Sequence, residues 1–283
     1  MGGLSQHLYR VRVPRPRLVA CDLDGTLLRS DRTVSARTID AWHAAAAAGI
    51  ELVVVTARPP RFFDLVGLDL FSDSSGLSGG AGVAVCANGA LVYDPSSRTV
   101  VDIRPLALAA AEKIVATRFD VGPLGFAVET GTRVVAEPGF RRSFEGDPHL
   151  LASTFEELWH HGTPIVKLLA WSSSFAADAV AVSLRGVHGS LVECTFSGGR
   201  GLVELSAPGV TKVSALASLC EARGISPDEV VAFGDMPNDL AMLQWAGTGY
   251  AVANAHPSVL ALGLPVTASN DDDGVAVVLE RLL

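Results

Sequence analysis

Short, nearly uninterrupted apolar runs punctuate both ends of the chain: Leu18–Cys21, Ile50–Val55, Gly82–Ala87, Glu229–Phe233 and Tyr250–Ala253. Runs of this kind, without polar alternation, predict strands covered on both faces, as in a parallel sheet. Helical stretches lie between them. Ala36–Ala48 carries an alanine run of high helix propensity, with Ser35 placed to cap its start and Gly49 just past its end. Pro59-Pro60 suits the first turn of a further helix, Lys212–Arg223 is closed by Gly224, and Val275–Leu283 predicts a terminal helix. Strand and helix alternating around buried strands is the pattern of an α/β fold with a doubly wound, Rossmann-like parallel core sheet.

The texture changes between 90 and 204. Leu91–Ile103 reads as a hairpin turning at Asp94–Ser97. A helix over about 106–118 follows, then strands at 125–129 and 132–136 around Gly131. Beyond these come a strand at 164–171, a helix at 174–185, and strands at 190–196 and 200–205. The prediction is a large inserted α+β unit with an antiparallel sheet, over 90–204. The two flanking segments, 17–89 and 205–283, form one core, and 1–16 is an N-terminal arm. The Ser/Gly-rich stretch 72–82 reads as a surface loop, and its glycines do not match a dinucleotide-binding fingerprint.

Composition narrows the partners. With 283 residues, 49% hydrophobic and 18% charged, the chain has the material for a substantial core. A net charge of −8 offers no basic excess for phosphate backbones, so nucleic acid is not the expected partner. No apolar run reaches the length of a membrane span, so no membrane partner is expected either. Cys21, Cys86, Cys194 and Cys220 are scattered without metal-type spacing and read as buried, reduced thiols of a cytoplasmic protein. The histidines His43, His160, His161 and His188 are read as packing or surface groups, because no spacing among them resembles a zinc motif. Phe126, Phe140, Phe144, Trp159 and Trp171 are read mostly as core, and Arg133, Arg141 and Arg142 as solvated surface.

The candidate chemistry collects at the ends of the predicted core strands and at one helix start: Asp22 and Asp24, Thr56, Lys212, and Asp235, Asn238 and Asp239. Each alone has a plain structural reading as a cap or a helix-start acid. Together, at one end of one sheet, they suit phosphoryl transfer, which depends mostly on positioning and electrostatics. Carboxylates make a hard oxygen site suited to Mg²⁺. Lysine supplies a point charge for phosphate, and a carboxylate can itself attack phosphorus. A phospho-aspartate signalling domain uses a comparable set as a switch, but it lacks a carboxylate two residues after the acceptor and has no large insert. Asp24 and the insert therefore favour an enzyme.

The order Asp22-x-Asp24-Gly-Thr26, Thr56, Lys212, Gly234-Asp235-x-x-Asn238-Asp239 resembles the haloacid dehalogenase superfamily of phosphohydrolases. The insert after Asn88-Gly89-Ala90 and the ending Asn270-Asp-Asp-Asp-Gly274 are similar to its Cof-type branch, which carries a large α/β cap. The resemblance implies a Mg²⁺-dependent phosphatase acting on a small-molecule phosphate ester, a sugar phosphate or similar. A phosphomutase of the same superfamily is the alternative. By the same resemblance, Asp22 is the nucleophile and a metal ligand, and Asp24 is the general acid/base and binds metal through its carbonyl. Thr56 and Lys212 hold the phosphoryl group, and Asp235 completes the metal site. Leu23, Ala57, Arg58, Asn88 and Asn238 serve phosphate or substrate binding, with Thr26 and Asp239 in support. Two departures are visible: Ala57 stands where the family often has glycine, and Met236-Pro237 where a small or polar pair is usual.

Overall fold

A computed structural model describes residues 15–66, 82–140, 149–162, 164–196 and 201–283. Most of the expected N-terminal arm, the 72–81 part of the Ser/Gly-rich stretch, Arg141, Arg142 and Phe144 lie outside the described residues. In chain order the elements begin with β1 (Leu18–Cys21), α1 (Ala36–Ala47), β2 (Glu51–Val55), α2 (Arg61–Val66), β3 (Ala84–Cys86), β4 (Leu91–Asp94) and β5 (Thr99–Ile103). The insert continues with α3 (Leu108–Val115), β6 (Gly125–Glu129), β7 (Val134–Ala136), β8 (His149–Leu151), α4 (Phe155–Gly162), β9 (Lys167–Trp171), α5 (Ala177–His188), β10 (Glu193–Thr195) and β11 (Leu202–Ser206). The chain closes with α6 (Lys212–Ala222), β12 (Val230–Gly234), α7 (Leu240–Trp245), β13 (Thr248–Ala251), α8 (Pro257–Leu260) and α9 (Gly274–Leu282).

The first sheet has the order β13-β12-β1-β2-β3-β4-β5. Its β13, β12, β1, β2 and β3 pair in parallel, and every residue of β1 is buried. The chain winds outward from β1 through β2 on one side and returns through β12 on the other. That makes the carboxyl ends of β1 and β12 a topological switch point, the place where open α/β sheets keep their sites. Cys21 stands beside Phe233 in this register, so the residues following each come out together. Trp42 of α1 packs at 1% exposure in the same core cluster as Leu23, Leu28 and Phe233. Full burial of one such large apolar side chain stabilises the fold by about 1.5–3 kcal/mol.

The hairpin β4–β5, expected within the insert, extends the first sheet instead. β4 lies antiparallel to β3, with Leu91 opposite Cys86. The cause is the tight reversal at Ala87, Asn88 and Gly89, all three at positive φ (52°, 57° and 101°), which folds the chain straight back on β3. The crossover to the second sheet therefore follows Ile103. That sheet, β10-β11-β9-β6-β7-β8, is antiparallel except for the parallel pair β7–β8, so the expectation of a purely antiparallel insert needs correction. The strand ending in Ser206 belongs to it. Helices α3, α4 and α5 contribute Ile114, Leu158 and Leu184 to its buried core.

Candidate active site

Asp22 leaves β1 with its backbone N–H still bonded to the Phe233 carbonyl, at 3.0 Å, so it emerges against β12 and is 5% exposed. The chain then turns tightly, with the N–H groups of Leu27 and Leu28 both returning to the Leu23 carbonyl. Gly25 makes this possible. Its φ is +78°, and a Cβ there would come within 2.5 Å of Asp235 Oδ2. Thr26 Oγ1 donates to Asp235 Oδ1 at 3.1 Å, tying the turn to the end of β12. From outside, Asn254 Nδ2 donates to the Gly25 carbonyl (2.7 Å) and Asn270 Nδ2 to the Leu28 carbonyl (2.9 Å). The Asn270–Gly274 ending is thus a brace for the Asp22 turn.

Lys212 opens α6 behind Thr211, whose side chain caps the helix start by accepting from the Ser214 N–H. Its ammonium is 2% exposed and bonds both Asp22 Oδ1 and Asp239 Oδ1, the latter at 2.6 Å. The other Asp239 oxygen accepts from the backbone N–H groups of Asp235 (3.2 Å) and Met236 (2.9 Å). Gly234 is the neighbour that allows this, since a Cβ there would lie 2.6 Å from the Asp239 Cβ.

Oxygens of Asp22, Asp235 and Asp239 lie within 4.8 Å of one another. Burial pushes the Asp22 carboxyl well above the ordinary aspartate range; Lys212 opposes this, and Asp239 and Asp235 add to it. Burial, with Asp239 next, raises Asp235 to about 6. Lys212 would be depressed by its burial, but Asp22 and Asp239 outweigh that and hold it above the usual lysine value, firmly charged. Counted as carboxylates, the three acids against one ammonium (−3 + 1) carry a formal −2 in a buried pocket, and the raised Asp22 and Asp235 show that the pocket resists that charge. A divalent cation with hard oxygen preference fits that excess and that donor set.

Thr56 follows β2 and is fully buried. Its N–H bonds the Val85 carbonyl, and its own carbonyl accepts from the Asn88 N–H at 3.0 Å. The Arg58 carbonyl takes the Ala87 N–H at 2.9 Å, so the Thr56-Ala57-Arg58 turn is laced to the reversal at Ala87–Gly89. The Arg58 guanidinium reaches Asp24 Oδ1 (2.7 Å) and Oδ2 (3.0 Å). The Asp24 carboxylate thus faces Arg58 rather than the Asp22–Asp235–Asp239 cluster. Asn238 Nδ2 donates to Asn88 Oδ1 at 3.2 Å. The Leu23 side chain is buried in the core, leaving only its backbone for any contact at the turn.

The insert adds residues that sequence reasoning missed. Lys167, on β9, sends Nζ to the Ala57 carbonyl (2.8 Å) and to Glu204 Oε1 (3.0 Å). Glu204 Oε2 and Thr195 Oγ1 accept from Asn88 Nδ2, at 2.6 and 3.0 Å. Arg61 forms a forked pair with Glu129 on β6, at 2.6 and 2.8 Å. A signal was present: Lys167 and Glu204 are lone charges inside apolar strands, and a buried charge demands a partner.

Residues 19–279 match the family described as haloacid dehalogenase-like hydrolase. The chain belongs to that family. The hydrolase is 27% identical to pyridoxal phosphate phosphatase YbhA of Escherichia coli, over 92% of this chain and 96% of that protein. It is 26% identical to 5-amino-6-(5-phospho-D-ribitylamino)uracil phosphatase YitU of Bacillus subtilis, over 94% of this chain and 97% of that one. A solved haloacid dehalogenase-like hydrolase from B. subtilis superimposes with a TM-score of 0.75 at 26% identity, covering 94% of this chain and all of that one. The chain is therefore an enzyme, a phosphoric monoester hydrolase with a Rossmann-like core and a cap. Among the described residues no helix is long and apolar enough to cross a membrane.

Proposed function

We propose that this hydrolase removes the phosphoryl group from a small phosphorylated metabolite, a sugar phosphate or similar, in a Mg²⁺-dependent reaction that passes through phosphorylated Asp22. The observation that carries the reading is the Asp22 carboxylate, paired with Lys212 beside Asp235 and Asp239, at the switch point of the sheet. Asp22 and Asp235, with the Asp24 carbonyl, would hold the ion. When bound, Mg²⁺ supplies charge neutralisation between the carboxylates and the incoming phosphoryl oxygens.

An Asp22 oxygen attacks phosphorus as the bond to the leaving oxygen breaks. Asp24 gives that oxygen a proton. Water then attacks the phosphorus of phospho-Asp22 while Asp24 takes the proton back, releasing inorganic phosphate and restoring the carboxylate. Lys212 and the Thr56 hydroxyl bind the oxygens of the transferring group, with Asn238, Arg58 and the Leu23 and Ala57 backbone around it. Asn88, expected to bind phosphate, has both amide hydrogens on Glu204 and Thr195 and serves by holding Asn238. The domains divide as a core of 17–89 and 205–283 and a cap that meets the leaving group, with the hairpin over 91–103 counted to the core sheet and β11, through Ser206, to the cap sheet. The two phosphatases named above take compact phosphomonoesters, which supports this substrate size. All four cysteines are buried and free, which suits a reducing, cytoplasmic setting. The test is release of inorganic phosphate from p-nitrophenyl phosphate and from a panel of phosphorylated metabolites, with Mg²⁺ present. A pure, folded protein that releases none from any of them overturns the proposal.

A further inference from the structure

We infer that Lys167, a cap residue, is a positioning residue for the chemistry in the core, acting through one peptide plane on the Thr56 hydroxyl. The inference rests on the phosphatase reading above and concerns the same site.

Lys167 is 2% exposed, and its ammonium divides between the Ala57 carbonyl at 2.8 Å and Glu204 Oε1 at 3.0 Å. A trans peptide points its C=O and its N–H in opposite directions. With the Ala57 carbonyl held by Lys167, the N–H of the same peptide, that of Arg58, is turned the other way. There it donates to Thr56 Oγ1 at 3.0 Å. A threonine hydroxyl has one hydrogen and two lone pairs. The Arg58 N–H takes one lone pair and so turns the hydroxyl hydrogen away from itself, leaving it to donate to a phosphoryl oxygen. Rotation of the Ala57–Arg58 peptide would remove that N–H and leave the hydroxyl free to spin.

Glu204 sets the other half of the arrangement. Both Asn88 amide hydrogens are committed, one to Glu204 Oε2 and one to Thr195 Oγ1. The Asn88 Oδ1 must then face Asn238, which donates to it at 3.2 Å. One buried carboxylate on β11 thus fixes the lysine that holds the Thr56 turn and the amide that orients Asn238. The cap is part of the phosphate pocket's frame, whatever it does for the leaving group.

The experiment is a double-mutant cycle of Lys167→Met and Thr56→Val, read as kcat and KM on p-nitrophenyl phosphate, a substrate small enough to ask little of a cap. Misplacement of one catalytic contact costs about 10²-fold. Lys167→Met is expected to lower kcat by about that factor with KM nearly unchanged, and Lys167→Arg to recover part of it. In the Thr56→Val background the lysine change is expected to cost almost nothing more, because its effect runs through that hydroxyl. Wild-type kcat in folded Lys167→Met, losses that multiply in the double variant, or a change confined to KM would each overturn the inference. If Lys167→Met lacks a cooperative melt, Glu204→Gln decides: it keeps an acceptor for Asn88 but weakens the hold on Lys167, and wild-type kcat in it overturns the inference. A wild-type protein without turnover overturns the phosphatase reading itself, whereas an active wild type with an indifferent Lys167 overturns only the positioning role.

Discussion

Arg58 Nη2 lies 2.7 Å from Asp24 Oδ1, and Arg58 Nε lies 3.0 Å from Oδ2, so one guanidinium holds both oxygens of the proposed acid/base. The same guanidinium sits 4.3 Å over the Phe62 ring. The pair is about one-third exposed on each side, at 36% and 39%. Ion pairs in such settings are worth about 0–1 kcal/mol, which is small beside a catalytic barrier. A phosphate dianion near Arg58 should compete for the guanidinium and free the Asp24 carboxylate to take up from solvent the proton it then gives to the leaving oxygen. Arg58 would thereby link arrival of the phosphate to arming of the acid.

That linkage gives the first prediction. Asp24→Asn should slow hydrolysis of alkyl phosphates by about 10²–10⁴-fold and of p-nitrophenyl phosphate far less, because p-nitrophenolate leaves without a proton. Adding Arg58→Gln to Asp24→Asn should cost alkyl-phosphate turnover less than Arg58→Gln costs the wild type. Steady-state rates of the four proteins on both substrates check this; equal losses on both substrates would remove Asp24 as the acid of the first step.

Asp22→Asn should abolish turnover, since an amide cannot form the phosphorylated intermediate. It should also raise stability in EDTA. Removing one carboxylate from a buried cluster with formal −2 relieves repulsion on Asp235 and Asp239. Active-site relief of this kind contributes about 0.5–2 kcal/mol. Thermal melts of wild type and variant in EDTA read it, with deamidation excluded by mass spectrometry. A variant less stable than wild type would mean that the Lys212 pair outweighs the repulsion.

Metal should act on both activity and stability. EDTA should remove turnover and Mg²⁺ restore it, whereas Ca²⁺, with looser and larger coordination, should restore little. A ligand at a hundred times its Kd stabilises the folded state by about 2.7 kcal/mol, so the melting temperature should climb with Mg²⁺. Asp235→Asn should flatten that climb. A melting curve of wild type indifferent to Mg²⁺ would contradict the site.

The strands that end in Asp22 and Asp235 were legible because a fully buried strand must be apolar throughout, and its end is marked by the first charge. Lys212 was legible from its place at the start of a helix closed by Gly224. The fate of Leu91–Ile103 was not, because alternation identifies a hairpin but not the sheet it joins; that was decided by the positive-φ reversal at Ala87–Gly89. β8 and α4 escaped notice, being a three-residue strand and an eight-residue helix. Lys167 and Glu204 escaped for a different reason. A lone charge in an apolar strand signals that each needs a partner, but the partners, Ala57 and Asn88, lie 110 and 116 residues away along the chain, which no local pattern encodes.

The cap should carry a pH-dependent stability of its own through His188, which was expected to be a packing residue and is buried at 3% exposure at the end of α5. Thr117 Oγ1 donates to the Lys113 carbonyl, so at its 2.8 Å contact with His188 Nε2 it is the acceptor and the imidazole carries its proton on Nε2. The edge-on Phe119 ring lies 6.0 Å away and offers the imidazole no charge partner. Burial, with the Lys113 charge second, holds the imidazole below the ordinary histidine value. The folded state therefore resists protonation more than the unfolded state, whose histidine titrates near ~6.5. The stability from the neutral imidazole is complete above the unfolded value and is lost as pH falls through the folded one, at about 1.4 kcal/mol for each unit separating the two. Other groups titrate over the same range, so the measurement is a difference. Denaturant melts of wild type and His188→Gln from pH 8 down to pH 5 should show wild type losing its advantage over the variant on acidification. An advantage that grows toward pH 5 would mean that the folded protein binds the proton more tightly than the unfolded chain, and that burial is not what governs His188.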